Sequence, residues 1–215
     1  MKNFDELDIY AKSLNNISSQ SKYLLSAFNN SVNLVEGSGS AKLLSTLTHL
    51  VLGNSFNKSV DYLSPELEYL EFGYLFNQEV DNLPHKLKYL TFGYSFNQCV
   101  DNLPCSLIEI NFSFAFNMAV DNLPCLLKSL TFCKEYEYTK DYVYIFPPGI
   151  AQSNIIKPFA FSQNLETLPN SLEYLRLNPN YKEKINYINT NLKTIRCSEN
   201  YPFQEELTIL ITKNI

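Results

Sequence analysis

The chain has 215 residues, of which 45% are apolar and 18% charged, with a net charge of −5 and a pI near 5.1. That balance excludes a disordered chain, and a membrane span, which needs about 18 consecutive apolar residues, is not available. The acidic pI argues against a nucleic-acid surface, which requires a concentrated basic patch.

The opening "MKNFDELDIYAKSL" carries acids and polar residues where a signal peptide needs an apolar stretch, so secretion by that route is not expected. Within residues 1–42, "FDELDI" (4–9) and "AFNNSV" (27–32) echo patterns seen later in the chain, and "EGSGS" (36–40) reads as a flexible insertion. We expect degenerate N-terminal capping coils here.

Residues 43–215 are dominated by a repeat. Units of twenty residues start at Leu47, Leu67, Leu87, Leu107 and Leu127. Numbering from each Leu, position 4 holds Leu50, Leu70, Leu90, Ile110 and Leu130, and position 6 holds Leu52, Phe72, Phe92, Phe112 and Phe132. Position 10 runs Phe56, Phe76, Phe96, Phe116 and Tyr136, and position 14 runs Val60, Val80, Val100, Val120 and Lys140. Leucine stands at position 17 up to Leu123, with Val143 next, and Pro84, Pro104 and Pro124 follow at position 18. Asp141 stays in phase, so the extra residues of "YEYTKDYVYIFPPGI" should bulge between Val143 and Pro147. "AFSQNLETLPNSL" (160–172) re-enters the pattern, giving units that restart near Ile150, at Leu172 and at Leu192, about eight in all. The tail "LTILIT" (207–212) is expected to close the array as a cap.

A short period of this kind is the signature of a solenoid. Positions 4 and 6 alternate inward as in a short strand, and the glycine at position 7 (Gly53, Gly73, Gly93) would free the backbone to turn off it. The expected fold is a mainly β or α/β solenoid whose strands pair in parallel from coil to coil. A single coil cannot bury enough apolar surface to stand alone; stacked neighbours supply the rest.

The pattern LxxLxFGxxFNxxVDxLPxxL resembles the FNIP repeat, a leucine-rich-repeat relative abundant in slime moulds and giant amoebal viruses. The resemblance covers residues 43 to 200, with the Phe-Asn pair at positions 10–11 and Leu-Pro at 17–18 carrying it. It implies a leucine-rich-repeat-like right-handed coil with a parallel sheet on its concave face, used for protein binding. Many such proteins carry an F-box before the repeats, as substrate receptors of ubiquitin ligases; residues 1–42 lack a clear F-box start. A cytoplasmic location, in the host cytosol if the protein is viral, fits both the resemblance and the cysteines. These five, at 99, 105, 125, 133 and 197, are odd in number and form no CxxC, so reduced thiols are expected.

In a solenoid, chemistry is sought in columns. The amides of Asn57, Asn77, Asn97 and Asn117 are expected to bond the turn backbone and each other. Asp61, Asp81, Asp101, Asp121 and Asp141, echoed by Glu166, are expected to cap local turns; they lack the Gly-rich pattern of calcium solenoids. His85, Cys105 and Cys125 share position 19, but no third orienting group stands beside them, so neither an enzyme nor a metal or other cofactor is expected. Oxidation could still cross-link Cys105 and Cys125, neighbours by register. The strand face remains. Its outward positions 3 and 5 pair His49 with Val51, Tyr69 with Glu71, Tyr89 with Thr91, Glu109 with Asn111, Ser129 with Thr131, Tyr174 with Arg176 and Thr194 with Arg196. Tyr69, Glu71, Tyr89, Thr91, Glu109, Asn111, Tyr174, Arg176 and Arg196 are the candidates for a protein partner, with acids early and arginines late. Tyr74, Tyr94 and Phe114 form a ridge at position 8. The expected protein is a non-enzymatic scaffold, monomeric or weakly self-associating; the other readings are part of a ubiquitin-ligase-type assembly or a structural self-associating element.

Overall fold

A computed structural model describes residues 23–25, 47–133, 161–188 and 191–213. The repeat unit folds as one coil, and each coil contributes one three-residue strand. In chain order these are β1 (Tyr23–Leu25), β2 (His49–Val51), β3 (Tyr69–Glu71), β4 (Tyr89–Thr91), β5 (Glu109–Asn111), β6 (Ser129–Thr131), β7 (Tyr174–Arg176) and β8 (Thr194–Arg196). They form a single sheet in that order, parallel throughout. The chain is a parallel β-solenoid with twenty-residue coils over β2 to β6, as the period predicts.

Backbone pairing extends past each strand. Phe72, Phe92 and Phe112 donate their amides to the carbonyls of Thr91, Asn111 and Thr131 at 2.8–2.9 Å, and Leu75 and Ser95 reach back to Asn54 and Tyr74 at 2.9 and 3.0 Å. At the far side of the coil the position-18 carbonyl accepts from the following position-1 leucine, as in Pro104 to Leu107 at 3.2 Å. Proline is suited to this place because its carbonyl serves the turn while its missing N–H leaves no donor to satisfy.

The apolar columns meet inside. Leucines of positions 1 and 4, the phenylalanines of positions 6 and 10 and the valines of position 14 make one core, most of it under 3% exposed. Within a coil the two phenylalanine rings face each other at 3.7 Å (Phe72–Phe76, Phe92–Phe96). Down the solenoid each ring lies 5.4–6.2 Å from its equivalent (Phe92–Phe112, Phe56–Phe76).

One reading of the sequence needs correction. β6 pairs directly with β7, Ser129 opposite Tyr174, so no rung from a unit near Ile150 lies between them. That spacing is 45 residues, 25 more than the usual twenty. The position-10 ring after Phe116 is Phe161, at 6.1 Å, followed by Tyr181 and Tyr201. Leu165 fills the slot of the position-14 valines. The slots assigned to Tyr136 and Lys140 are therefore taken by Phe161 and Leu165, and the extra residues enter after position 7, not between Val143 and Pro147. Residues 134–160 themselves, Asp141 among them, lie outside the described residues.

Upstream, β1 adds a rung that sets Leu24 opposite Leu50. "AFNNSV", "FDELDI" and "EGSGS" lie outside the described residues. "LTILIT" sits in a terminal helix, α1 (Gln204–Lys213), which opens with Glu205 and Glu206 and buries Leu207 in the core. Acids in the first turn suit the positive end of the helix.

The glycines at position 7 serve close approach rather than an unusual turn. A β-carbon on Gly73 would stand 2.3 Å from the carbonyl oxygen of Gly53, and one on Gly93 would stand 1.8 Å from that of Gly73. Later coils carry Ser113 and Cys133 in this column, and Cys133 adopts φ 62°, the left-handed region. Gly93→Ala is accordingly expected to destabilise the fold by about 1–3 kcal/mol through overpacking. Denaturant unfolding measures it, and a change within about 0.5 kcal/mol, typical of a neutral surface site, would contradict the close-contact reading.

Candidate functional site

Strand alternation sends Leu70, Leu90 and Ile110 into the core and turns the flanking residues to the opposite face of the sheet. In-register pairing then sets His49, Tyr69, Tyr89, Glu109, Ser129, Tyr174 and Thr194 in one row. Val51, Glu71, Thr91, Asn111, Thr131, Arg176 and Arg196 make the second.

Not all of these are accessible. Tyr89 is the most open tyrosine of the rows at 41% exposed, and Tyr69, Glu71, Glu109, Tyr174 and Arg176 are half-buried. Thr91 and Asn111, expected to face a partner, are only 3% and 6% exposed, and Thr131 is buried beside them. They are short side chains on rungs about 4.8 Å apart, overtopped by longer neighbours. Asn111 spends its amide donors on Thr91 Oγ1 at 3.2 Å and Glu109 Oε1 at 2.8 Å. Both residues build the floor of the face rather than its contact surface.

Charge is segregated across this floor. Toward the N-terminal side Tyr69 donates its hydroxyl to Glu71 Oε2 at 2.6 Å and stacks on His49 at 5.7 Å between centroids. Burial, then the hydrogen bond to Glu71 and the charges of Glu71 and Glu109, push the Tyr69 phenol above its ordinary range, so it stays a neutral donor. Toward the C-terminal side Arg176 and Arg196 stand opposite each other on β7 and β8. Elsewhere acids meet cations one coil away, as in Lys86–Glu66 at 2.6 Å, Lys88–Glu68 at 3.0 Å and Glu173 between Lys128 and Lys193. Glu71 and Glu109 have no such cation among the described residues. Along the adjoining rim Tyr74, Tyr94 and Phe114 stack at 4.7 and 5.6 Å, half-buried.

The asparagine column is a relay between coils. Asn57, Asn77 and Asn97 each accept, through Oδ1, the backbone N–H of the next asparagine at 2.9 Å, and Asn117 does the same for Ser162. At three of these four links a glutamine at position 12 (Gln78, Gln98 and Gln163) donates to the same oxygen at 3.0–3.4 Å. Reading the repeat by its apolar columns overlooks these glutamines, although their recurrence at one fixed position is a legible signal. The carboxylates of the acidic column accept within their own turn, from Ser59 at Asp61 and from Cys99 at Asp101, and also bond across coils. Asn82 donates to Asp61 at 3.0 Å, Asn122 to Asp101 at 3.2 Å, Thr167 to Asp121 at 2.8 Å and Asn186 to Glu166 at 3.1 Å. Glu166 thus holds the place assigned to Asp141. Amide and hydroxyl donors between the carboxylates relieve the repulsion a bare acidic stack would suffer. His85, Cys105 and Cys125 lie exposed along one edge with free thiols, and no group of three or more metal-ligating side chains occurs among the described residues.

Repeated coils joined by one parallel sheet and by core, asparagine and acidic columns define a repeat solenoid of the leucine-rich-repeat kind, a fold typical of interaction scaffolds. Within it, residues 59–95 and 76–115 match the FNIP Repeat family. In fold it is similar to the crystal structure of CroV588, a novel circular leucine-rich-repeat protein, with a TM-score of 0.56 and 24% identity over 86% of this chain. The aligned region spans 28% of that protein. No curated protein matches the chain in sequence.

Two outcomes follow from the relays. Asn77→Ala removes the acceptor for the Asn97 amide, so exchange of that single N–H with solvent should accelerate while stability drops by about 1 kcal/mol; unchanged exchange would contradict the relay. The hydrogen bonds from Ser59 and then Asn82 hold Asp61 below its ordinary value of 3.8. A depressed folded-state value means that its stabilising contribution is present above the unfolded value and is lost as pH falls through the folded one. In Asn82→Ala, carboxyl titration by NMR should show Asp61 moving up toward 3.8.

Proposed function

We propose that the protein is a non-enzymatic scaffold that holds a protein partner across the outward face of its sheet, centred on Tyr69, Glu71, Tyr89, Glu109, Tyr174, Arg176 and Arg196. One observation carries the reading. The core, asparagine and acidic columns are occupied in holding coil to coil, whereas this face combines tyrosines with acids that have no cation among the described residues. Tyrosine and arginine are the side chains most suited to such a surface, giving large contact area and directional hydrogen bonds at small entropic cost. Solenoids use extended sheet faces in this way because variation there leaves the stacking surfaces untouched. Self-association through the C-terminal end has less support, since α1 buries Leu207 in the core there.

The test is comparative affinity capture from a eukaryotic lysate with the intact chain, a Tyr69→Ala/Tyr89→Ala/Tyr174→Ala variant and a control substituted at exposed Asn102 on another surface, each confirmed folded by circular dichroism. Proteins retained by the wild type and the control should be lost from the triple variant, by tenfold or more. Equal retention by all three would contradict the assignment of this face.

A further inference from the structure

We infer that the acidic-aromatic half of the sheet face is a seat for a cationic side chain, and that the partner is an extended segment bearing a lysine or arginine with an acidic residue about five positions away. The inference rests on the proposed use of this face and specifies what lies on it.

Three features converge on β3 to β5. Glu71 and Glu109 stand diagonally across β4, and neither has a cation among the described residues. Each is held by a neutral donor on one oxygen, Glu71 by the Tyr69 hydroxyl and Glu109 by the Asn111 amide. Neutral donors fix carboxylates in place without cancelling their charge. Between them lies the exposed ring of Tyr89, next to Tyr69 in the same row. A guanidinium or ammonium group over an aromatic ring and within reach of two carboxylates gains both cation–π and charge-assisted hydrogen bonds. Burial first, then the hydrogen bond to Glu71 and the charges of both acids, push the Tyr69 phenol above its ordinary range, so it meets a partner as a neutral donor.

A bare metal ion fits less well. Hard divalent cations ask for six or more oxygens, and no group of three metal-ligating side chains is assembled among the described residues. A side-chain cation, already carrying its own donors, needs only these two acceptors and a ring.

The other half of the face sets the direction. Arg176 and Arg196 lie on β7 and β8, three to four rungs from β4. At about 4.8 Å per rung that is roughly 17 Å, the span of about five extended residues at ~3.3 Å each. A segment laid across the rungs with its basic residue at Tyr89 therefore brings an acidic residue over the arginines. The reversed charge order places like charges together at both ends, which is how such a surface rejects wrong partners.

The experiment is selection of a random twelve-residue peptide library, displayed on phage, against the full chain, with binding of the selected peptides remeasured on Glu71→Gln/Glu109→Gln, Arg196→Gln and Tyr89→Ala variants. Glutamine keeps the shape and the acceptor oxygens while removing the charge. The expected result is enrichment of a Lys or Arg with an Asp or Glu about five residues away, and about tenfold weaker binding to the double Glu→Gln variant. Weakening as salt rises is also expected. Peptides that need Tyr89 but show no basic residue would overturn the cation seat and leave the face standing. Peptides unaffected by Tyr89→Ala, or no enrichment at all, would count against the face and the seat together.

Discussion

Parallel backbone pairing between residues twenty apart obliges every side chain in the repeated coils to meet its own equivalent on either side. A residue tolerable once must then be tolerable in a stack. Phenylalanine satisfies that condition because flat rings pack face to face at a spacing close to the rung separation. Asparagine satisfies it because its side-chain oxygen can receive the next coil's N–H. Glycine at position 7 satisfies it by having nothing to collide with the carbonyl beneath. Charge is the difficult case, and the chain resolves it in two ways: by alternating sign, as Glu66 with Lys86, or by interleaving neutral donors, as Asn82 below Asp61.

The same constraint explains where irregularity is permitted. Twenty-five extra residues enter the β6–β7 coil after Cys133, and the core resumes at Phe161 with its ring in the column. Loop length costs little free energy once the ends are fixed, so an insertion is cheap provided that the strand and the phenylalanine column keep their register. The outward face is the other permitted place. Nothing in the stack dictates what Tyr89 or Arg196 should be, so long as each is compatible with the strand.

Much of the fold can be read from the letters because fixed offsets translate directly into columns: Phe76, Phe96 and Phe116 share one offset, and they lie in one core. The register across the insertion cannot be read the same way. Tyr136 and Asp141 fall at the right offsets from Leu127 by coincidence, and a residue's distance along the chain is no guide once a loop intervenes. α1 is hidden because "LTILIT", apolar at four of its six positions, carries no clear period of its own, whereas the acids before it and its buried Leu207 fit a helix start. Alternation correctly sends Thr91 and Asn111 to the outward face, yet whether a short side chain is covered there depends on the height of its neighbours on two other rungs. That is a tertiary property that no single unit records.

The interchangeability of the coils is the claim on which the rest depends, and deleting one tests it most directly. Removing residues 87–106, one full coil, joins Lys86 to Leu107 and presents β5 to β3 with the same surface that β4 offered. Thermal unfolding followed by circular dichroism should remain cooperative with the β-type spectrum retained. Removing only residues 87–96 should abolish the transition, since it throws every later column out of phase. Loss of cooperative unfolding in both deletions alike, or its survival in both, would contradict the account.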